Sequence, residues 1–465
     1  MSTTRPYAAL LFLLLPLLAF LALANRFPIQ EPLLQTDSEG YLTFSSIRTG
    51  GYPFFLALLK PFVSDLSGYI PIQLALYGFA CCAFAYVFWR AYGAILPALL
   101  AEIVLLGNPL ANAFHFTITT ESLFLTVSVL FFAASFSALH GRHITPLICA
   151  SLLAGIAVTI RPTGLALLPA LAVLPFMLRS DGLGRRCLFA AMPCLAVLAL
   201  EATYYRAHNG PDRQSLLPIV LLAKGGMVSV PDADAIIAAA PETRRALDRA
   251  LETDLAKVRQ LIAESPNLPA TCRLIDGYEP YIQYRFALTE RATAQAAGGT
   301  QALKDAAIAR MLTAPTSYME NVWQHWLCLW TLWAATGAEK QAFRVYLEQN
   351  QPIPYIPEIL DQMRPGDTLP FTRLVIALLW MVAAGLAAAG GAAVYAALRG
   401  RFDAGLATAG LAGIVAHGAL VMTAAMGVSI PRYTVGFWPA LAIGAGMLVW
   451  FGLKRFYRPS SQPLY

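Results

Sequence analysis

Long apolar runs alternate with short polar stretches along most of the chain. An apolar helix of about 20 residues is long enough to cross the ~30 Å hydrocarbon layer of a membrane. The pattern therefore predicts about ten membrane-spanning helices, with a long polar insert before the last three. The predicted spans are 7–24, 69–89, 93–107, 117–139, 144–160, 163–178, 187–205, 371–397, 404–427 and 433–453.

The polar insert, residues 206–370, has the spacing of amphipathic helices. Its stretch 241–262 opens with a proline, which suits a first helical turn, and then repeats apolar residues at helical steps. Near its end, four tryptophans follow one another at three- and four-residue steps: Trp323, Trp326, Trp330 and Trp333. Tryptophan prefers the lipid–water boundary, so we expect a helix lying in the outer membrane surface. An eleventh span is the alternative.

These elements predict an all-α polytopic membrane protein in three parts. Residues 1–205 form an N-terminal membrane domain with an outer loop at 25–68, residues 206–370 form a helical domain outside the cytoplasm, and residues 371–465 form the last membrane helices and a tail. Composition agrees, because 57% of the residues are hydrophobic and only 13% are charged. In soluble domains about 45–50% of the residues are apolar and about 25% are charged.

Charge sets the expected orientation. Lysine and arginine are in excess in every second loop, which marks those loops as cytoplasmic and places both termini inside. The insert and the loop 25–68 then face the exterior, or the periplasm of a bacterial inner membrane. The net charge of +6 is explained by this orientation bias, so we expect no nucleic-acid partner. Cys272 and Cys328 lie outside the predicted spans, and a disulfide between them is left open.

Four polar stretches are expected on the outer face, where they would line one cavity. The first, 36–53, contains Asp37, Glu39, Tyr41, Arg48 and Tyr52 within a markedly apolar chain. The others are 108–122 with His115 and Glu121, the Arg161-Pro162 pair, and 427–433 with Arg432 and Tyr433.

The order of these stretches resembles the GT-C class of polyprenyl-phosphate-sugar-dependent glycosyltransferases, close to the protein mannosyltransferase and aminoarabinose transferase branch. The resemblance covers residues 1–205 and 371–455 and does not extend to the insert 206–370. It implies a GT-C-like helical membrane fold and a catalytic carboxylate at Asp37. The family often has two adjacent acidic residues, but here Ser38 separates Asp37 from Glu39.

The expected chemistry follows from these residue types. A sugar leaving a lipid phosphate needs a carboxylate to take the proton of the acceptor hydroxyl and cations to hold the departing phosphate. Asp37 is the candidate base, with Glu39 and Glu121 as further catalytic candidates. Arg48, Arg161 and Arg432 are candidate phosphate ligands, because arginine keeps its charge and binds phosphate oxygens in pairs. The candidates for contact with substrate are Tyr41, Tyr52, His115 and Tyr433.

Each candidate has a simpler alternative role. Asp37 suits a helix N-cap, and Glu121 suits a first helical turn. Arg48 suits lipid headgroups, and tyrosine is common at any membrane interface. His115 with Asp37 and Glu121 is a weak pattern for a divalent cation, so no cofactor is expected with certainty.

We therefore expect an enzyme that moves a sugar, with inversion, from a polyprenyl-phosphate donor to a glycan, lipid or protein acceptor outside the cytoplasm. A lipid or solute transporter or flippase is the main alternative. It predicts paired ionisable residues at the bilayer midplane and related chain halves, but the sequence offers only scattered ionisable candidates and no repeat. An O-antigen ligase or polymerase-like enzyme is a third hypothesis. It usually acts through an outer loop late in the chain, whereas Asp37 comes early.

Overall fold

The computed structural model describes residues 5–24, 32, 34–35, 37–141, 143–178, 182–265, 268, 271–272, 275, 299–330, 370–399, 403–426 and 434–454. All regular elements in this part of the chain are helices, which confirms the all-α prediction for these residues. The first ten are α1 (Arg5–Ala24), α2 (Ser38–Leu42), α3 (Gly51–Leu59), α4 (Tyr69–Tyr92), α5 (Ile95–Leu106), α6 (Pro109–Phe114), α7 (Thr120–His140), α8 (Thr145–Ile160), α9 (Leu167–Met177) and α10 (Leu183–Asn209). Short 3-10 turns occupy Lys60–Phe62, Leu66–Gly68 and Pro162–Ala166.

The later helices include the described part of the insert. They are α11 (Leu217–Gly226), α12 (Ala233–Ala239), α13 (Glu242–Ala263), α14 (Thr300–Thr313), α15 (Pro315–Trp330), α16 (Pro370–Leu398), α17 (Ala404–Met426) and α18 (Trp438–Leu453).

Five of the described helices are long and apolar enough to cross a membrane, which indicates a multi-pass membrane protein. They are Leu66–Tyr92, Thr120–His140, Leu183–Asn209, Ala377–Ala396 and Ala404–Met426. Several other predicted spans are present as shorter apolar helices, such as the 12-residue α5 and the 11-residue α9. The number of ten spans therefore stays a prediction.

The helices form two compact units. The first contains residues 1–214, 381–419 and 435–465, and the second contains residues 215–380 and 420–434. In the first unit, α8 packs between α7 and α10, and α7 also packs on α4. Small residues permit this contact, since Gly155 of α8 lies against the backbone of Cys194 in α10.

In the second unit, α11 packs against α14. Gly225 lies directly on Ala307, and the buried Arg310 side chain donates to the carbonyl oxygens of Gly225 and Val228. A disulfide joins Cys272 to Cys328 of α15, which settles the pairing that the sequence left open.

The Trp-rich helix α15 is only partly a surface helix. Trp330 is completely buried, whereas Trp323 is exposed and its ring stacks on that of Trp326. One side of α15 therefore belongs to the core of the second unit.

Gly51, at the start of α3, packs against the end of α8. A Cβ atom at this position would lie 2.5 Å from Thr159 Oγ1 and 2.7 Å from the Thr159 carbonyl oxygen. At Gly50 the closest atom, Glu201 Oε1, would be 3.2 Å away.

We therefore expect Gly51→Ala to destabilise the fold by about 1–3 kcal/mol, as overpacking does. Thermal melting in detergent should show a larger drop for Gly51→Ala than for Gly50→Ala, and equal drops would contradict this packing.

Candidate functional site

The first element of the site is an ion pair between Asp37 and Arg48. Asp37 occupies the N-cap position of α2, but its side chain makes no capping hydrogen bond. Instead, Arg48 Nη2 donates to Asp37 Oδ1 at 2.7 Å. Gly40 makes room for this arrangement, since a Cβ atom there would lie 2.9 Å from Arg48 Nε. In the structure, Asp37 thus pairs with a cation rather than capping the helix that it precedes.

A second ion pair joins Glu121 to Arg161. Glu121 lies in the first turn of α7, and its carboxylate is 2.9 Å from Arg161 Nη1. Arg161 follows the last residue of α8 in an extended conformation, which its position before Pro162 favours. Both side chains are buried, so this pair is shielded from water far more than the Asp37–Arg48 pair.

Tyr41 lies where the two ion pairs meet. The Arg48 guanidinium is 4.8 Å from the centre of the Tyr41 ring, and the Tyr52 ring packs edge-on at 5.3 Å. Burial is the main reason why the Tyr41 pKa lies above its ordinary value; the two arginines lower it, and the carboxylates of Asp37 and Glu121 raise it. Tyr41 therefore presents a neutral hydroxyl among four charges.

The pKa of Arg48 also lies above its ordinary value. Burial acts to lower it, but the neighbouring Tyr41 and Asp37 raise it by more. Arg48 therefore stays charged, and its guanidinium pairs with Asp37.

A hydrogen bond joins the sequence neighbours of the two arginines. Thr49, next to Arg48, donates its hydroxyl to the carbonyl oxygen of Ile160, next to Arg161, at 2.8 Å. Together with the packing of Gly51 on Thr159, this contact fixes the loop after α2 to the end of α8.

Tyr52 is held by a residue that the sequence analysis did not single out. Its hydroxyl lies 3.2 Å from Gln73 Oε1, and Gln73 Nε2 donates to the carbonyl oxygens of His115 and Thr117. Gln73 is a single amide within the apolar helix α4, and a polar group inside a span is a functional signal.

His115 is buried and lies beside Tyr77 and Ser122. Its Nδ1 is 2.7 Å from Ser122 Oγ, and its ring centre is 4.4 Å from that of Tyr77. Burial lowers the His115 pKa to about 3, so the ring is neutral at physiological pH. Among the described residues, no group of three or more His, Cys, Asp or Glu side chains is placed to hold a metal ion. The His115 backbone carbonyl oxygen is joined to Tyr52 only through Gln73 in the contacts described.

Helix α10 supplies further contacts to the loop that carries Arg48. Glu201 Oε1 accepts a hydrogen bond from the Gly50 amide at 2.7 Å and a second from Arg213 at 2.8 Å. Tyr205 donates to the Ser46 carbonyl oxygen at 2.6 Å. Glu201 is an ionisable residue within an apolar run of the sequence, but no local pattern indicates its contact with the loop.

Glu39 is a predicted site residue that the structure does not place in the cluster. The Glu39 side chain is exposed in the first turn of α2, and no contact described in the structure joins it to the two ion pairs. Arg432 and Tyr433 lie outside the described residues. Of the predicted set, the structure groups Asp37, Tyr41, Arg48, Tyr52, Glu121 and Arg161, and it connects His115 to Tyr52 through Gln73.

A cavity of about 730 Å³ adjoins the cluster at Tyr41. Its walls come from α2 and α3, from the segment leading into α4 (including Lys60 and Asp65), and from Tyr204 and His208 at the end of α10. The volume lies within the usual range of small-molecule sites, about 300–1,000 Å³.

Comparison with known proteins does not assign the chain to a family: no family model matches it, and no curated protein or solved structure matches it.

Proposed function

We propose that this protein is a membrane glycosyltransferase that moves a sugar from a polyprenyl-phosphate donor to an acceptor on the non-cytoplasmic side. The observation that carries the proposal is the pairing of Asp37 with Arg48 and of Glu121 with Arg161 around one tyrosine. Such a transfer needs a base and cations that hold the departing phosphate. A partly exposed carboxylate near two arginines supplies both.

In the proposed reaction, the Asp37 carboxylate takes the proton of the acceptor hydroxyl. The acceptor oxygen bonds to the anomeric carbon from the face opposite the phosphate, and the bond between that carbon and the phosphate oxygen breaks. The polyprenyl phosphate departs with the bonding electron pair, so the sugar configuration inverts. Arg48 and Arg161 hold the negative charge that develops on the phosphate.

Glu121 fits a supporting role better than proton transfer. Its carboxylate is fully buried and faces Arg161, whereas the Asp37 side chain is 27% exposed. We assign Glu121 to holding Arg161 in place. Tyr41 offers a neutral hydroxyl to the donor phosphate or sugar, and the adjoining cavity gives room for a sugar or prenyl group.

The test is a transfer assay with the purified full chain in phospholipid vesicles, using a panel of polyprenyl-phosphate sugars and short glycan, lipid and peptide acceptors. The proposal expects at least one donor to yield glycosylated acceptor and free polyprenyl phosphate in equal amounts. Movement of intact donor lipid between leaflets, without any cleavage of its phosphate–sugar bond, would favour the flippase alternative.

A further inference from the structure

Three large apolar side chains are exposed along α3 and the 3-10 turn that follows it. Phe54, Leu58 and Phe62 are 51%, 58% and 80% exposed. Their four-residue steps place them on one side of a helix. The opposite side is buried, with Tyr52 at 0% and Leu56 at 5%. We call the set Phe54, Leu58 and Phe62 the α3 face.

The α3 face lies beside the ends of two long apolar helices. Four residues after Phe62, the chain enters Leu66–Tyr92, which is long enough to cross a membrane. The Phe54 ring also packs at 5.3 Å against that of Tyr204, five residues before the end of Leu183–Asn209, another such helix. One helix begins and the other ends next to α3, so α3 lies at a membrane boundary. With nine residues, α3 is itself too short to cross.

The residues around the α3 face suit a lipid–water interface. Lys60 is exposed between Leu58 and Phe62, and Ser64 and Asp65 are exposed directly after them. A lysine stem covers apolar surface while its ammonium reaches the headgroups. A short helix with one apolar side at this level is typical of an element that lies in the interface plane.

We propose that the α3 face is inserted into the lipid leaflet, with the acyl-chain region just below the headgroups as its partner. The leaflet covers apolar side chains that would otherwise be in contact with water. This contact does not depend on the proposed reaction, because it rests on exposure and on position beside the long helices.

Photocrosslinking tests the contact in the full chain reconstituted into vesicles of phosphatidylethanolamine and phosphatidylglycerol. Phe54, Leu58 and Phe62 are replaced, one at a time, by p-benzoylphenylalanine, which forms covalent adducts with nearby C–H groups. The same replacement at Phe79, 65% exposed within Leu66–Tyr92, is the positive control, and exposed Asp234 in α12 is the negative control. Mass spectrometry measures the yield of phospholipid adducts.

The proposal expects adduct yields at the α3 face close to that at Phe79 and at least about tenfold above that at Asp234. Yields as low as that at Asp234, while Phe79 forms adducts, would overturn it. Crosslinked dimers in place of lipid adducts would also overturn it and would assign the face to a second copy of the chain. Neither readout requires transferase activity, so this test is separate from that of the proposed function.

Discussion

Replacing Asp37 by asparagine is expected to lower the rate of sugar transfer about 10²- to 10⁴-fold, which is the usual contribution of a general base. The amide keeps the size of the side chain but has little ability to take the proton of the acceptor. Because the Asp37–Arg48 pair is partly exposed, its loss should cost the fold no more than about 1 kcal/mol. Initial rates at saturating donor, together with melting curves in detergent, measure both effects.

Glu39→Gln is the matched control for this substitution. Glu39 lies two residues away, carries the same charge and is exposed without a described contact to the cluster. We expect its rate to stay close to that of the unchanged protein. A fully active Asp37→Asn variant would show that another group takes the proton, and a similar loss in both variants would point to a general charge effect.

Replacing Glu121 by glutamine is expected to destabilise the protein by about 3–5 kcal/mol, the typical result of breaking a buried ion pair. Arg161 would then keep its charge without the buried carboxylate that faces it at 2.9 Å. The exposed pair of Lys454 and Asp403, 3.4 Å apart, provides the comparison, and Asp403→Asn should cost at most about 1 kcal/mol. Thermal or denaturant unfolding in detergent measures the difference.

A double variant separates the structural role of this pair from its role in transfer. Combining Glu121→Gln with Arg161→Met removes both buried charges, and apolar replacement of such pairs is often neutral or stabilising. We therefore expect stability to recover while transfer stays low, because the donor phosphate has lost a cation. Recovery of both stability and transfer would remove Arg161 from the proposed phosphate site.

The helical class and the Arg161-Pro162 turn could be predicted because each has a local signal. Apolar runs, and the effect of a proline on the residue before it, depend only on neighbouring residues. The structure accordingly places the end of α8 at Ile160, directly before Arg161. The number of spans was harder to predict. An 11-residue helix such as α9 and a complete span have the same composition, and only length and packing distinguish them.

The sequence could predict which residues belong to the candidate site, but not which of them form ion pairs with one another. Sequence order indicated that Asp37, Arg48, Glu121 and Arg161 share one region, but their partners depend on how the loop after α2 folds back. The hydrogen bond from Thr49 to Ile160 joins residues 111 positions apart, and no local pattern indicates it. No local pattern indicates the contact between Glu201 and Gly50 either, since these residues are 151 positions apart.

In the proposed reaction, the Thr49–Ile160 hydrogen bond also bears on which donor phosphate the two arginines accept. Arginine has a long side chain, so the spacing of two arginines usually adapts to the anion between them. Here each arginine is next to one residue of a single side-chain-to-backbone hydrogen bond, which limits how far apart the two Cα atoms can move. Inserting or deleting one residue beside either arginine would shift the distance between the two cations. The size of anion that fits would then change without any change in the charged residues themselves.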